Sequence, residues 1–100
     1  MFALVARFYL RDEVAAKGFD SLVGETAAKI RESEPGTLFY ATHKVKDAPL
    51  SRIFYELYEN REAFDAHERA EHTKRFLDER DQYLTGTRVE FLEPPTGKGV

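Results

Sequence analysis

Cysteine and tryptophan are both absent from this chain of 100 residues, and methionine occurs once. The missing cysteines exclude disulfide bonds, thiolate nucleophiles and thiolate metal ligands. No apolar run approaches the roughly 20 residues that a membrane-spanning helix needs. The longest, around Phe2–Leu10, is interrupted by Arg7. Any chemistry must therefore come from histidine, carboxylate or tyrosine side chains.

Clusters of basic charge are missing too. Fifteen Lys and Arg residues against eighteen Asp and Glu residues give a formal net charge of -3, and no stretch forms a basic stripe. We therefore expect neither a nucleic-acid partner nor electrostatic attraction to a membrane. The N-terminus lacks the charged, apolar and small-residue segments of a secretion signal, which predicts a cytoplasmic protein.

The length is sufficient for one compact domain and too short for two. Hydrophobic residues make up 42% of the chain and aromatic residues 13%, as a small core requires. We predict a single domain over residues 1–93. A flexible tail is predicted over residues 94–100, where prolines and glycines cluster.

Hydrophobic periodicity predicts the order strand, helix, strand, strand, helix pair, strand. Phe2–Leu10 is apolar at nearly every position, as in a strand buried on both faces. Asp12 is placed to cap a helix whose apolar residues recur at spacings of three and four and which ends at Pro35. The later predicted elements are strands at 37–45 and 52–59 around a loop at 46–51, a helix pair begun by Asn60, and a strand at 87–92 after Gly86.

This order is the split βαβ or ferredoxin-like arrangement, an α+β fold with a four-stranded antiparallel sheet and helices on one face. The other sheet face has no predicted cover, although the third strand is apolar on both sides. Its Phe54 and Tyr58 point one way, and Ile53, Tyr55 and Leu57 point the other. Because soluble monomers rarely expose a large apolar patch, we predict a homodimer formed through the sheet face.

The chain resembles the antibiotic biosynthesis monooxygenase (ABM) family, within the dimeric α+β barrel superfamily. The resemblance spans Phe2 to Leu92 and rests on short motifs in a fixed order: Glu34-Pro35-Gly36, Phe39-Tyr40, Phe54-x-Glu56-x-Tyr58, Ala63-Phe64, and His67-x4-His72 with Phe76. It implies a homodimer with a pocket between sheet and helices. In founding members it also implies oxygenation of aromatic substrates without metal or prosthetic group. Because relatives include isomerases, haem-degrading enzymes and proteins of no assigned role, function must be argued from the site.

Two histidines, His67 and His72, are the first catalytic candidates, because imidazole exchanges protons in either direction near neutral pH. Glu56 is the third, since its strand leads into the helix of His67 and its carboxylate could orient or charge-stabilise an imidazole. Five residues span about 140° on an ideal helix, so the histidines share a face only if the helix breaks near Arg69-Ala70.

The structural alternatives stay open for the same residues. His67 could be a half-buried helix residue that packs and bonds to backbone, and His72 a partly exposed residue at a helix start. Glu56 could instead pair with an arginine such as Arg7 or Arg88.

Aromatic residues are expected to line the pocket, and the substrate-binding candidates are Tyr40, Phe54, Tyr58, Phe64 and Phe76. We predict no metal, because the zinc helix motif places its histidines four apart and His67 and His72 are five apart. We predict no cofactor either. Haem-degrading relatives use a tryptophan that this chain lacks.

The expected function is that of a cofactor-independent monooxygenase acting on a small aromatic, carbonyl or quinol-type molecule. Proton abstraction would give a carbanion that reacts directly with dioxygen. Two alternatives remain: a small-molecule isomerase of the same fold, and a non-catalytic dimer that binds an apolar ligand or serves a stress response. Convergence of His67 and His72 on one enclosed cavity would favour catalysis, because packing alone does not require it.

Overall fold

Four strands form one antiparallel sheet in the order β2-β3-β1-β4, and helices cover one of its faces. The computed structural model describes residues 1–100. Its elements are β1 (Phe2–Leu10), α1 (Glu13–Ser33), β2 (Thr37–Val45), β3 (Ala48–Tyr58), α2 (Arg61–Arg69), α3 (Glu71–Glu79), a 3-10 helix (Arg80–Tyr83) and β4 (Leu84–Leu92). The predicted α+β ferredoxin-like fold is confirmed. None of the helices has the length and apolar character needed to cross a membrane.

Side-chain caps fix where the helices begin. Asp12 accepts a hydrogen bond from the Ala15 amide at 2.7 Å, and Asn60 accepts one from the Ala63 amide at 2.8 Å. Each cap satisfies an amide that the first helical turn leaves without a partner. At the other end of α1, the Glu34 amide donates the last bond of the helix to Ile30, and the following proline cannot continue it.

A single residue, Ala70, separates α2 from α3. Its extended backbone, with φ -66° and ψ 143°, ends one helix and starts the next. The condition for the two histidines to share a face, a break near Arg69-Ala70, is therefore met. As a result, the histidines at 67 and 72 are not held to the angular offset of one continuous helix.

Two predicted boundaries are wrong. The loop expected at 46–51 is a two-residue turn that contains Asp47 at φ 64°, and β3 already begins at Ala48. Pro49 is tolerated there because the register jumps from Val45↔Ala48 to Lys44↔Arg52, which leaves the proline outside the ladder with β2. Gly86 does not end a helix but lies within β4 opposite Tyr9, since the helical segment has already ended at the 3-10 turn.

The core lies between the sheet and the helices and is dominated by aromatic rings. Phe8 is in contact with Phe19, Phe54 and Phe76, with ring centroids 5.2, 4.6 and 6.1 Å away. These offset and edge contacts are the arrangements that aromatic pairs prefer. The cluster joins α1 and α3 to the two central strands and so holds the helices that carry the site.

The opposite sheet face carries a mixture of apolar and charged side chains. Phe39, on β2, is 53% exposed and Leu92, on β4, is 42% exposed. Arg88 and Glu90 contact each other on the same face of β4, with 3.2 Å between the Arg88 Nη2 and Glu90 Oε1 atoms. No helix of the chain covers this side of the sheet.

Phe54 is only 1% exposed and lies inside the aromatic core. Phe54→Ala should lower the free energy of unfolding by about 3 to 5 kcal/mol, because it removes buried area and leaves a cavity. The measurement is urea unfolding followed by circular dichroism. Val14→Ala is the control, since Val14 is 81% exposed and should change stability by less than about 0.5 kcal/mol. Equal midpoints for the two variants would contradict the assignment of Phe54 to the core.

Candidate active site

A buried carboxylate, Glu34, joins two histidines from two different helices. Glu34 Oε1 lies 2.8 Å from His67 Nδ1, and Glu34 Oε2 is hydrogen-bonded to His72 Nε2. The Glu34 side chain is only 9% exposed. We call these three residues the Glu-His-His cluster.

The turn between α1 and β2 places Glu34 at the cluster. Gly36 allows this turn to approach α2, because a Cβ atom at that position would lie 2.7 Å from the Ala63 Cβ. Thr37 Oγ1 donates a further hydrogen bond of 2.7 Å to Glu34 Oε1. The motif Glu34-Pro35-Gly36 therefore ends the helix and supplies the acid at the same point.

Hydrogen bonding keeps the Glu34 carboxylate ionised. Burial raises its pKa, but the hydrogen bonds from His67, Thr37 and His72 outweigh burial and lower the pKa to about 2. At neutral pH the carboxylate is an acceptor only, so both contacting imidazole nitrogens must carry the protons. This fixes the tautomer of His67, with the proton on Nδ1.

The second ring nitrogen of His67 faces another acid. His67 Nε2 lies 3.9 Å from Glu56 Oε1, and that oxygen accepts a 2.5 Å hydrogen bond from the Tyr58 hydroxyl. When the imidazole is neutral, Nε2 has a free lone pair. His67 is thus oriented by one carboxylate and has its basic nitrogen on the side of the other.

The two acids have opposite electrostatic environments. Burial raises the pKa of Glu56, and the hydrogen bond from Tyr58 only partly opposes this. The pKa of Glu34 is lowered by three hydrogen-bond donors. Carboxyl groups whose pKa values are moved in opposite directions beside one imidazole are typical of acid and base sites.

Glu56 does not pair with an arginine. Arg7 lies opposite Ile53 in the ladder between β1 and β3, so its side chain points to the other face of the sheet. Arg88 contacts Glu90 on that same face. The alternative of a pair between Glu56 and Arg7 or Arg88 is therefore wrong.

A cavity of about 250 Å³ lies beside His67, between the sheet and the helices. Of the predicted site residues, it is lined by Tyr40, Glu56, Phe64, His67 and Phe76. Phe54 and Tyr58 do not reach it. Tyr58 is fully buried and packs against the His67 ring with centroids 5.3 Å apart, while Phe54 belongs to the core.

His72 lies outside the cavity, in a surface groove with Glu25 and Arg75. The two histidines therefore converge on Glu34 rather than on the cavity itself, and only His67 faces both. This geometry makes His72 a candidate for positioning the carboxylate.

The sequence patterns missed two residues of the site. Glu34 is 33 residues from His67, and its only signal was its place in the Glu34-Pro35-Gly36 motif. Arg80 lines the cavity from the 3-10 helix, and no pattern in the sequence distinguished it from the other arginines.

The Glu-His-His cluster also has the donor atoms of a metal site. One carboxylate oxygen and one nitrogen from each imidazole all lie within 4.8 Å of one another. Two histidines and a carboxylate suit zinc or non-haem iron. The histidine spacing of five did not anticipate this set, because it contains no information about Glu34, which comes from the turn after α1. In the structure each of the two histidines is hydrogen-bonded to Glu34.

The family model for antibiotic biosynthesis monooxygenase matches residues 1–79. The chain belongs to the antibiotic biosynthesis monooxygenase family. The matched range includes every residue of the Glu-His-His cluster and Glu56, and it ends one residue before Arg80. Among curated proteins, none matches the sequence of this ABM chain.

Solved structures share the fold at low sequence identity. A crystal structure described as an antibiotic biosynthesis monooxygenase is 23% identical, covers 96% of this chain and 100% of its own, and has a TM-score of 0.84. Rv0793 from Mycobacterium tuberculosis is 24% identical with 98% of both chains covered and a TM-score of 0.87. PA3566 from Pseudomonas aeruginosa is 20% identical, covers 95% of this chain and 94% of its own, and has a TM-score of 0.83. At these identities the likeness shows the fold alone.

Acid should destabilise the ABM chain through Glu34. Because its pKa is lowered from 4.5 to about 2 on folding, its contribution to stability is complete above pH 4.5 and is lost as the pH falls towards 2. Urea unfolding at pH 6 and pH 3 should show a larger loss for the wild type than for Glu34→Gln, which has no carboxyl to titrate. Glu32→Gln, on the exposed surface of the same helix, is the control and should behave as the wild type. Parallel losses in all three proteins would contradict this.

Proposed function

We propose that this ABM protein is a cofactor-independent monooxygenase in which His67 removes a proton from a small aromatic or quinol-type substrate. One observation carries the proposal. His67 donates from Nδ1 to the ionised Glu34, so its Nε2 is left as a base at the wall of a cavity. A cytoplasmic location remains part of the proposal.

The Glu34–His67 pair supplies what a general base needs. A carboxylate on Nδ1 holds the imidazole in one tautomer and one orientation, and it stabilises the positive charge that forms when Nε2 accepts a proton. Inside a buried site that charge would otherwise be costly. His72 binds the second oxygen of Glu34 and acts as a positioning residue.

The reaction can be completed with dioxygen and the protein's own side chains. His67 takes a proton from an activated methylene group next to an aromatic carbonyl, and the electron pair that is left adds to dioxygen. His67 returns the proton to the resulting peroxide, and loss of water leaves a new carbonyl group. Methylene and dioxygen thereby become carbonyl and water, so no external reductant is needed.

Glu56 is placed to assist the proton transfers. It lies 3.9 Å from His67 Nε2, and its raised pKa lets it hold a proton more readily than an exposed glutamate would. Tyr58 fixes its orientation through the 2.5 Å hydrogen bond. Glu56 is therefore the acid of the site and Glu34 the permanent anion.

Removing the base should reduce turnover. His67→Ala should lower the rate by about 10²- to 10⁴-fold, the usual loss for a general base. The assay screens purified protein under oxygen against quinols, related phenols and aryl ketones that carry an activated methylene group, and it identifies product by mass. His43→Ala is the matched control, because His43 is exposed and lies outside the cavity. Full turnover in His67→Ala would make His67 a packing residue.

A second arm of the assay distinguishes the metal alternative. The wild type dialysed against a chelator should keep its turnover under the proposed mechanism. If chelation abolishes turnover and Fe²⁺, Mn²⁺ or Zn²⁺ restores it, the Glu-His-His cluster is a metal centre and the cofactor-independent mechanism is wrong.

The proposal includes a homodimer formed through the uncovered sheet face. On this face Ile53, Tyr55 and Val5 are half-buried within one subunit, and Phe39 is exposed. A second copy would cover these apolar side chains. The ABM relatives are commonly dimeric, which agrees with this arrangement.

Sedimentation at micromolar concentration should show a dimer, and Ile53→Lys should shift it to monomer, because the substitution places an unpaired charge in the interface. Val14→Lys is the control, since Val14 is exposed on α1 and should leave the dimer intact. A wild type that sediments as a monomer at this concentration would refute the dimer.

A further inference from the structure

Arg80 is a cation at the cavity wall whose one ion-pair partner is a distant, exposed acid. It begins the 3-10 helix after α3, and its side chain lines the same cavity as His67. The Nε atom is buried and has no hydrogen-bond partner. The nearest acid is Asp81, whose Oδ1 is 4.0 Å from Nε and whose side chain is 85% exposed.

Arg52, whose side chain is 8% exposed against 25% for Arg80, shows how this chain treats a structural guanidinium. Arg52 donates from Nε and Nη2 to the carboxylate of Asp20 at 2.8 and 3.0 Å, and from Nη1 to the carbonyls of Pro49 and Ser51 at 2.9 and 2.8 Å. Leaving a buried donor without a partner costs free energy. Arg80 bears this cost, and the cost is recovered when a ligand supplies the acceptor.

Two rings hold the Arg80 guanidinium. Its central carbon lies 5.7 Å from the ring centroid of Phe8 and 5.8 Å from that of Phe76. A cation-π contact does not use a hydrogen-bond acceptor, so these two contacts leave the N–H groups of the guanidinium available to a ligand. A flat apolar molecule with one anionic oxygen would match this combination of aromatic wall and cationic edge.

None of the other ionisable residues that line the cavity forms an ion pair with Arg80. The ionisable residues that line it are Tyr40 from β2, Glu56 from β3, His67 and Glu68 from α2, and Arg80 itself. Glu68 is exposed at the surface, and burial raises the pKa of Glu56, which favours its neutral form. Burial also raises the pKa of Tyr40, whereas the charge of Arg80 opposes that rise, so the field of Arg80 extends to β2.

We propose that Arg80 binds an ionised oxygen of the substrate, and that the substrate class is therefore a phenol or enol of one or two fused rings. The proposal rests on the proposed function, in which His67 generates negative charge that delocalises onto such an oxygen. The cavity of about 250 Å³ sets the size, since a cavity of about 150 Å³ accommodates benzene. Arg80 is then the group that stabilises the anion that His67 forms.

The test is a binding measurement with 4-nitrophenol, whose ionised form is yellow, on the intact protein without turnover. When enough wild-type protein is added to bind all of the phenol, the bound phenol should ionise at a pH about 1 to 3 units lower than the free phenol. The reason is that an opposite charge nearby favours the anion. Arg80→Gln should abolish this shift. Arg80→Lys should keep most of it, because the charge remains. Arg75→Gln is the control: Arg75 pairs with Glu25 and Glu79 on the surface and should leave the shift unchanged.

Each result bears on the proposal. A bound phenol that ionises at the same pH as the free one, an unchanged shift in Arg80→Gln, or no saturable binding by the wild type would overturn the role of Arg80. Because the wild type alone can give two of these results, the test does not depend on the variants folding. The shift is measured without turnover. A wild type that shows the shift but converts no substrate therefore contradicts only the proposed base, whereas one that converts substrate without the shift contradicts only the anion site.

Discussion

The buried carboxylate of Glu34 is the constraint on which the site depends. An ionised acid that is 9% exposed is costly unless donors surround it, and here the donors come from three different elements: His67 on α2, His72 on α3 and Thr37 at the start of β2. Satisfying this one group therefore fixes how the two short helices meet the end of α1. The orientation of His67 towards the cavity follows from the same bonds.

The aromatic core gives that constraint a rigid base. Phe8, Phe54 and Phe76 join the central strands to α3, while Phe64 packs on Tyr58 with ring centroids 5.3 Å apart. The aromatic residues on the inner side of the sheet differ in depth. Phe54 and Tyr58 support the site from below without reaching the cavity, whereas Phe8, Phe64 and Phe76 belong to the core and also line the cavity.

Local patterns were sufficient for the fold and for part of the site. The period of apolar residues and the caps Asp12 and Asn60 predicted the element order. The break at Ala70 was named only as the condition under which His67 and His72 share a face. Local patterns failed where distant segments meet. Glu34 joined the site through the packing of the α1–β2 turn on α2, and the boundary of β3 depended on a ladder bulge. Phe54 and Tyr58 lie on the sheet face that carries the cavity. The alternation of side chains along a strand predicts the face of the sheet, but it does not predict whether a side chain reaches the cavity or is buried beneath it. The extent of the domain and the catalytic roles stay predictions.

The joint at Ala70 has a consequence for how this chain can vary in length. Each added or deleted residue in a helix turns the following side chains by about 100° and moves them about 1.5 Å along the axis. With one non-helical residue between His67 and His72, no neighbouring loop can absorb such a change. An insertion or deletion between His67 and His72 would therefore move one imidazole away from Glu34. The number of residues between the two histidines matters as much as their identity.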